Sequence, residues 1–543
     1  MTDHLNLIIG KPNLGADEKI ATFTRFVLPF AFQLQSAESP PNPPDLFYIL
    51  NNKTDLSFIK RRKYFTRETS DTLYERGQWL SICDTWNQTS WGKAEVTVIL
   101  RDRPFKIGML PPQIVLFETP EIKEQQKENI LQTGFLYVDV YFPDQQENPP
   151  QLDDLLVLNE FFRYFGIPFD KHAETFNKLF SEVPVKAQGN EKIGSLNELE
   201  RYFERWAAML ELPIKYNNQF YQLFPTSWAK AARDWMYNEP GSHEPEHWQI
   251  YADNRCYVWT VAFLANGGDA LRTDFEPNNA MLSAKDYGHW IKLVNVDNPP
   301  FDWATQKYKN STDTHKSVTP FEREWAEQRT YKRWEDDGTW YGYSYHSTAI
   351  LARPFSYVFA PSASYYFDAT VMLLYIRMTL FRFGRALSKA VPDNDDQNNK
   401  ETMKKWRKLR YEFTKFTVLY RFPMLSNQQQ HMELYEINRK SLDIEQFFEE
   451  IRQEVDNTHE FLELVDSNSL ATAANRLTIW GVPLATGGLV TALFGMSDFH
   501  ILQCVPLSNN CSVNWDLLFQ ASIAVFSGFA VWLRLSKKKR RKS

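Results

Sequence analysis

NRLTIWGVPLATGGLVTALFGMSDFH, residues 475–500, opens the stretch whose charge pattern sets the expected architecture. From Leu477 to Leu533 the chain holds no Lys or Arg, and its only carboxylates, Asp498 and Asp516, sit in the middle. Two apolar runs, 477–494 and 517–533, thus flank a short polar segment, the outline of a hairpin. Each is close to the minimum of roughly 17 to 20 residues that a helix needs to cross a hydrocarbon core. A buried helix pair fits the same description, but RLSKKKRRKS follows directly, and its seven basic residues abut the apolar run as they do on the cytoplasmic side of a membrane. The expectation is two membrane spans, 477–496 and 515–533, in a multi-pass protein of the cell membrane. Both termini would then be cytoplasmic, and residues 476–543 would form the membrane hairpin with its basic tail.

Working outward, the other residues of the 543-residue chain have different chemistry. Mean hydropathy is negative and the net charge of −6 is only slightly acidic, so most of the chain belongs in water, with no basic excess suited to nucleic acid. The opening MTDHLNLIIGKP lacks both the basic-then-apolar order of a secretory signal and the Arg-rich character of a transit peptide. Four cysteines are too few for a disulfide framework. Cys83 and Cys256 stand among aromatics like small buried hydrophobes. Cys504 and Cys511 flank VPLSNN, where either a bridge or a free pair fits.

Residues 1–400 mix strand and helix signals and are expected to form an α+β cytosolic domain. GFLYVDVYF (134–142) alternates as a strand does, and AEVTVIL (94–100) is β-branched. LDDLLVLNEFFRYF, LNELERYFERWAAML and ATVMLLYIRMTLFRFGRALSKAV carry apolar residues at helical spacing, and Arg377 and Arg382 mark the last as a core helix. PDNDDQNNKE (392–401) is a polar linker. Beyond it, 401–475 reads as a helical stalk region: KETMKKWRKLRYEFTKFTVLYRF, an interruption at Pro423, then one helix from about Gln428 into the first span.

That last helix has two further features. Ser467, Ala471, Ala474, Thr478, Gly481, Ala485, Gly488, Ala492 and Gly495 recur in alternating steps of three and four, so a small residue returns to one face at every turn. Such a face permits close helix contact or a lumen around a shared axis. From Asp443 to Asp466 there are nine carboxylates against one fixed cation, Arg452, beside an apolar stripe of Ile444, Phe448, Ile451, Val455, Leu462 and Val465. The acids form either a solvated face or, with neighbouring subunits opposed, a place where hard divalent cations relieve the repulsion. In the second reading Glu449, Asp456, Glu460, Glu463 and Asp466 sense cytosolic metal.

Taken together, residues 401–543 resemble the CorA-type divalent cation channels: a long stalk helix entering a first span, a Gly-Met-Asn motif at its outer end, a short loop, a second span and a basic tail. NRLTIWGVPLATGGLVTALFGM is similar to the family's first span. Gly495 and Met496 match the motif, and Ser497 stands in place of its Asn. The resemblance implies a channel passing hydrated Mg²⁺, or the related ions Co²⁺, Ni²⁺ or Zn²⁺, down its electrochemical gradient without ATP. It also implies a homo-oligomer, five subunits by analogy, seated in the lipid bilayer. Gly495, Met496 and Ser497 would form the selectivity mouth, and Thr478, Gly481, Ala485, Gly488 and Ala492 would line the pore. Asp498 and Asp516 would raise the local cation concentration. A Ser hydroxyl is shorter than an Asn amide, so the ring would be wider, with altered or lost conduction. The alternative is a non-conducting, membrane-anchored scaffold or metal sensor.

Catalytic signatures point elsewhere than to an enzyme. HEPEH (243–247) has the spacing of a zinc protease motif, but Pro245 interrupts the helix that the chemistry requires. IIGKP lacks the spacing of a phosphate loop. WEDDGTWYGYSYH (334–346), dense in aromatics and acids, reads as a packed, turn-rich hairpin in preference to a ligand site. No cofactor beyond the divalent cation is expected.

Overall fold

The computed structural model describes residues 5–13, 19–32, 35–37, 47–49, 56–82, 95–100, 103–110, 113–117, 132–144, 148–163, 185–186, 192–193, 214–216, 219–222, 256–265, 287–296, 301–302, 307–308, 318–390, 399–422, 424–460, 474, 502–504, 511–513 and 522. They are organised around an 11-stranded mixed sheet. Its strands are β1 (Phe23–Phe32), β2 (Phe47–Ile49), β3 (Gln78–Ile82), β4 (Glu95–Leu100), β5 (Arg103–Met109), β6 (Gln113–Leu116), β7 (Gln132–Tyr141), β8 (Tyr257–Phe263), β9 (Thr330–Tyr331), β10 (Thr339–Tyr343) and β11 (Ser347–Ala352). The order is β9-β10-β11-β8-β1-β7-β6-β3-β2, with β5 also on β7 and β4 on β5. Only β8 and β11 run parallel, and every other neighbouring pair in this sheet is antiparallel.

The centre of the sheet is covered on both faces, which explains why β8, YVWTVAF, is buried at every position. Alternation along β1 shows the two layers. Thr24 bonds Asn159 at 2.8 Å on helix α2 (Leu152–Phe162; α1 is Leu56–Arg62), and Asn159 also donates to Thr260 at 2.9 Å. On the opposite face Phe23 meets Phe359, and Arg25 lies over Phe367 at 4.1 Å. These partners belong to α5 (Ser356–Ala363) and α6 (Tyr365–Ala390); α3 (Tyr287–Asn295) and α4 (Pro320–Glu327) precede them. Pro29 lies beyond Val27, the last β1 residue paired with β8, so its missing N–H costs that ladder nothing.

The strand expectations at 94–100 and 134–142 are met by β4 and β7, the 152–165 expectation by α2, and the core-helix expectation by α6. In α6 every residue from Tyr365 to Leu380 is buried, and Arg377 resolves its own burial locally. Its guanidinium stacks on the Tyr345 ring at 3.4 Å and donates to the Tyr345 carbonyl at 3.0 Å, while burial lowers its pKa. Segment 334–346 is a packed hairpin, as read: a turn closed by Thr339 N–H to Trp334 O at 3.0 Å leads into β10 and β11, both buried throughout. Gly338 in that turn has φ +69°, a conformation glycine adopts without strain. Cys256 is buried, as read. The helix expected at 196–210, HEPEH and Cys83 lie outside the described residues.

Two ionic groups cross the interior. Arg25 is bidentate to Asp139, at 2.6 and 2.8 Å, with side-chain exposures of only 7% and 11%. Burial pulls the Arg25 pKa down, and the adjoining carboxylate more than offsets it, so the net shift is upward. Asp368, fully buried, accepts from Tyr74 Oη at 2.5 Å and pairs with Arg61 at 3.4 Å. Burial raises its pKa against the opposing pull of Arg61.

Four expectations are corrected. The α+β assignment carried a two-helix transmembrane hairpin, and no helix among the described residues is long and apolar enough to cross a membrane. The longest, α6, would span about 39 Å at 1.5 Å per residue, but it carries Asp368, Arg377, Arg382, Arg385 and Lys389. The next, α7 (Asn399–Tyr420), is charged along its length. The membrane keywords and the cell-membrane placement with two cytoplasmic termini rested on that hairpin and fall with it. The segments assigned as spans, 477–496 and 515–533, lie outside the described residues save Ser522. Finally, the single helix from about Gln428 is two helices: α8 (Gln429–Ser441) ends at Leu442, and α9 begins at residue 444 and is described to 460.

The chain divides into two compact units, Met1–Asp393 with Arg407–Ile451, and Asn394–Trp406 with Arg452–Ser543. In the first, α8 is seated by His431, whose ring meets those of Phe65, Tyr365 and Tyr366 at 5.1, 5.5 and 5.2 Å. Neither ring nitrogen has a well-formed hydrogen bond. Burial lowers the His431 pKa to about 3, against a smaller opposing pull from the Tyr64 backbone. In the unfolded chain the imidazole takes a proton near pH 6.5. The unfolded state therefore binds more protons between those values, and this contribution is complete above pH 6.5 and is lost as pH falls. At 1.36 kcal/mol per pH unit, about 2–3 kcal/mol should be lost between pH 6.5 and 4.5. Urea unfolding across that range checks this: His431→Phe should flatten the acid limb, and an unchanged limb would remove His431 as its cause.

Candidate functional site

The acidic helix α9 and the junction from which it leaves α8 form the candidate site. Leu442 N–H still bonds Asn438 O at 3.0 Å as the last link of α8. Asp443 then adopts φ +53°, a left-handed conformation that Asp tolerates better than most residues with a Cβ. Its carbonyl accepts from Phe447 N–H at 3.0 Å and so starts α9. The apolar stripe read from the sequence holds as far as it is described: Ile444, Phe448, Ile451 and Val455 are each 3% exposed. Phe448 stacks against Phe413, and Phe447 meets Phe381 edge-on.

Burying that stripe turns the carboxylates outward. Asp443, Glu445, Glu450, Glu454, Asp456 and Glu460 are exposed and Glu449 is half-buried. Glu445 is paired: its two oxygens accept from Arg421 at 3.0 Å and Arg439 at 2.8 Å. Arg421 also lies over the Phe448 ring at 4.5 Å. These groups rim a shallow cleft lined by Ile376, Tyr420, Tyr435 and Phe448. With Glu445 and Arg421 nearly half exposed and Arg439 22% exposed, each ion pair contributes on the order of 0–1 kcal/mol, enough to favour one rotamer of Glu445 but little global stability.

The remaining acids pair differently. Glu450 and Glu454, and Asp456 and Glu460, stand four residues apart on one helix, where like charges cost about 0.2–0.5 kcal/mol per pair. Among the described residues no group of three or more His, Cys, Asp or Glu side chains is placed to hold a metal ion. Among the described residues, Glu449, Asp456 and Glu460 therefore do not by themselves form a cation site. Glu463 and Asp466 lie outside the described residues. So do Thr478, Gly481, Ala485, Gly488, Ala492, Gly495, Met496, Ser497, Asp498 and Asp516.

Sequence reasoning missed Arg421 and Arg439, which lie 24 and 6 positions from Glu445 and carry no motif. It also missed the buried pairs, although a signal existed: Arg25 is the lone charge in FTRFVLPFAF and Asp139 the lone charge in QTGFLYVDVY. Two strands that each hide one charge of opposite sign invite pairing across a sheet. Compared with known proteins, the chain matches no family model, no curated protein and no solved structure.

Proposed function

We propose that this protein is a divalent-cation-responsive homo-oligomer of the CorA type, in which copies of α9 face one another and Mg²⁺, Co²⁺, Ni²⁺ or Zn²⁺ binds between them. One observation carries the reading. Seven carboxylates between Asp443 and Glu460 stand against one fixed cation, Arg452, on a helix whose apolar stripe is already buried in its own chain. Bringing such faces together costs Coulomb repulsion, and hard divalent ions coordinated by carboxylate oxygen remove that cost. Cation occupancy would thus set whether the α9 helices stand together or apart.

Sedimentation and thermal unfolding of the full chain, with and without each ion, test this. Assembly beyond a dimer is expected, with a midpoint that rises with ion concentration; an ion at 100-fold its Kd adds about 2.7 kcal/mol by linkage. Changing Glu449, Asp456, Glu460, Glu463 and Asp466 to their amides should abolish the rise. A monomer indifferent to all four ions would sink the proposal.

A further inference from the structure

The sequence leaves Cys504 and Cys511 open between a bridge and a free pair, and the backbone register bears on the choice. Leu502–Cys504 (β12) and Cys511–Val513 (β13) pair antiparallel, with Leu502 opposite Val513, Gln503 opposite Ser512, and Cys504 directly opposite Cys511. Residues directly opposite in an antiparallel pair have Cα atoms about 4.5–5.5 Å apart, inside the roughly 4.4–6.8 Å that a disulfide requires. A shift of one residue along either strand would break that match. Only VPLSNN separates the two positions, so the loop that the bond closes is short.

We propose that Cys504 and Cys511 form an intrachain disulfide that locks the β12–β13 hairpin, and that they are a thiol-oxidation site of this protein. The oxidant is a disulfide compound, for which oxidised glutathione serves as the probe. One cysteine thiolate attacks a sulfur of the oxidant, forming a mixed disulfide and expelling one thiolate. The second cysteine thiolate then attacks the protein sulfur of that mixed disulfide and expels the other. The two cysteines lose two protons and two electrons, and the oxidant leaves as two thiols. The register sets the two residues opposite each other along the backbone, so ring closure is intramolecular and outruns capture by free thiol. The inference is independent of the proposed function and holds whether or not the protein binds metal.

The test uses the full chain, equilibrated in reduced or oxidised glutathione, quenched with N-ethylmaleimide and digested with trypsin. Because no Lys or Arg lies between Arg476 and Arg534, both cysteines fall in one peptide, 477–534. The expected result is that oxidation removes both labels and two hydrogen masses from that peptide, with doubly labelled peptide falling about tenfold or more. Cys504→Ser should leave Cys511 ending as a glutathione adduct or a labelled thiol, with no two-hydrogen loss. Double labelling that survives oxidation, glutathione adducts on both cysteines of the unaltered chain, or a bond joining two chains would each overturn the proposal.

Discussion

Asp139→Ala is expected to destabilise the first unit by about 3–5 kcal/mol, because it leaves a buried guanidinium without its bidentate carboxylate partner. Arg25 sits in the middle of the sheet, 7% exposed, between the rings of Phe367 at 4.1 Å and Tyr137 at 4.8 Å. Those rings attract a cation but cannot replace two charge-assisted hydrogen bonds. Removing both partners is a different matter. Arg25→Met with Asp139→Leu should recover most of the loss, since two apolar side chains fill the space without a desolvated charge. Urea unfolding followed by tryptophan fluorescence reads both variants. If the single change costs under about 1 kcal/mol, the pair is hydrated in solution and this account of the interior is wrong.

Trp340→Ala should cost a comparable 3–5 kcal/mol for a different reason, the cavity left by a large ring in a close-packed layer. Trp340 is fully buried on β10, with Trp290 at 5.3 Å and Tyr287 at 5.8 Å, both in T-shaped contact from α3. Next but one along the same strand, Gly342 leaves room for that helix: a Cβ there would lie 2.4 Å from Val294 and 2.7 Å from the Trp290 ring. Trp340→Phe keeps one edge of the contact and should cost less than half as much. Equal loss from the two substitutions would show that the indole is needed for something other than volume. The aromatic density of 334–346, which on paper resembles a ligand site, is thus spent on fixing α3 to the sheet.

On the acidic helix, Glu445 is set apart from the other carboxylates of α9, because Arg421 and Arg439 already neutralise it. Amide substitutions at the other carboxylates of α9 should leave the α8–α9 junction intact.

Local pattern was sufficient for the elements with a single strong period. Alternation in 134–142, the β-branched run at 94–100 and the helical spacing of 369–391 each stated an element without knowledge of any partner. Charge placement told as much: Arg377 and Arg382 are enough to read α6 as an interior helix of a protein body. The same local reading overreached at the C-terminal end, where apolar length and a basic tail suggested spans that no described helix supplies. Tertiary structure alone decided the features that join distant residues. Arg25 finds Asp139 across 114 positions, Arg61 finds Asp368 across 307, and Cys504 meets Cys511 only because one strand register was chosen over its neighbours. The turn at Asp443 belongs with these, for neither Gly nor Pro marks it. Periodicity reports which face a residue lies on, whereas a pairing or a break depends on the free energy of packing against groups that are remote in the chain.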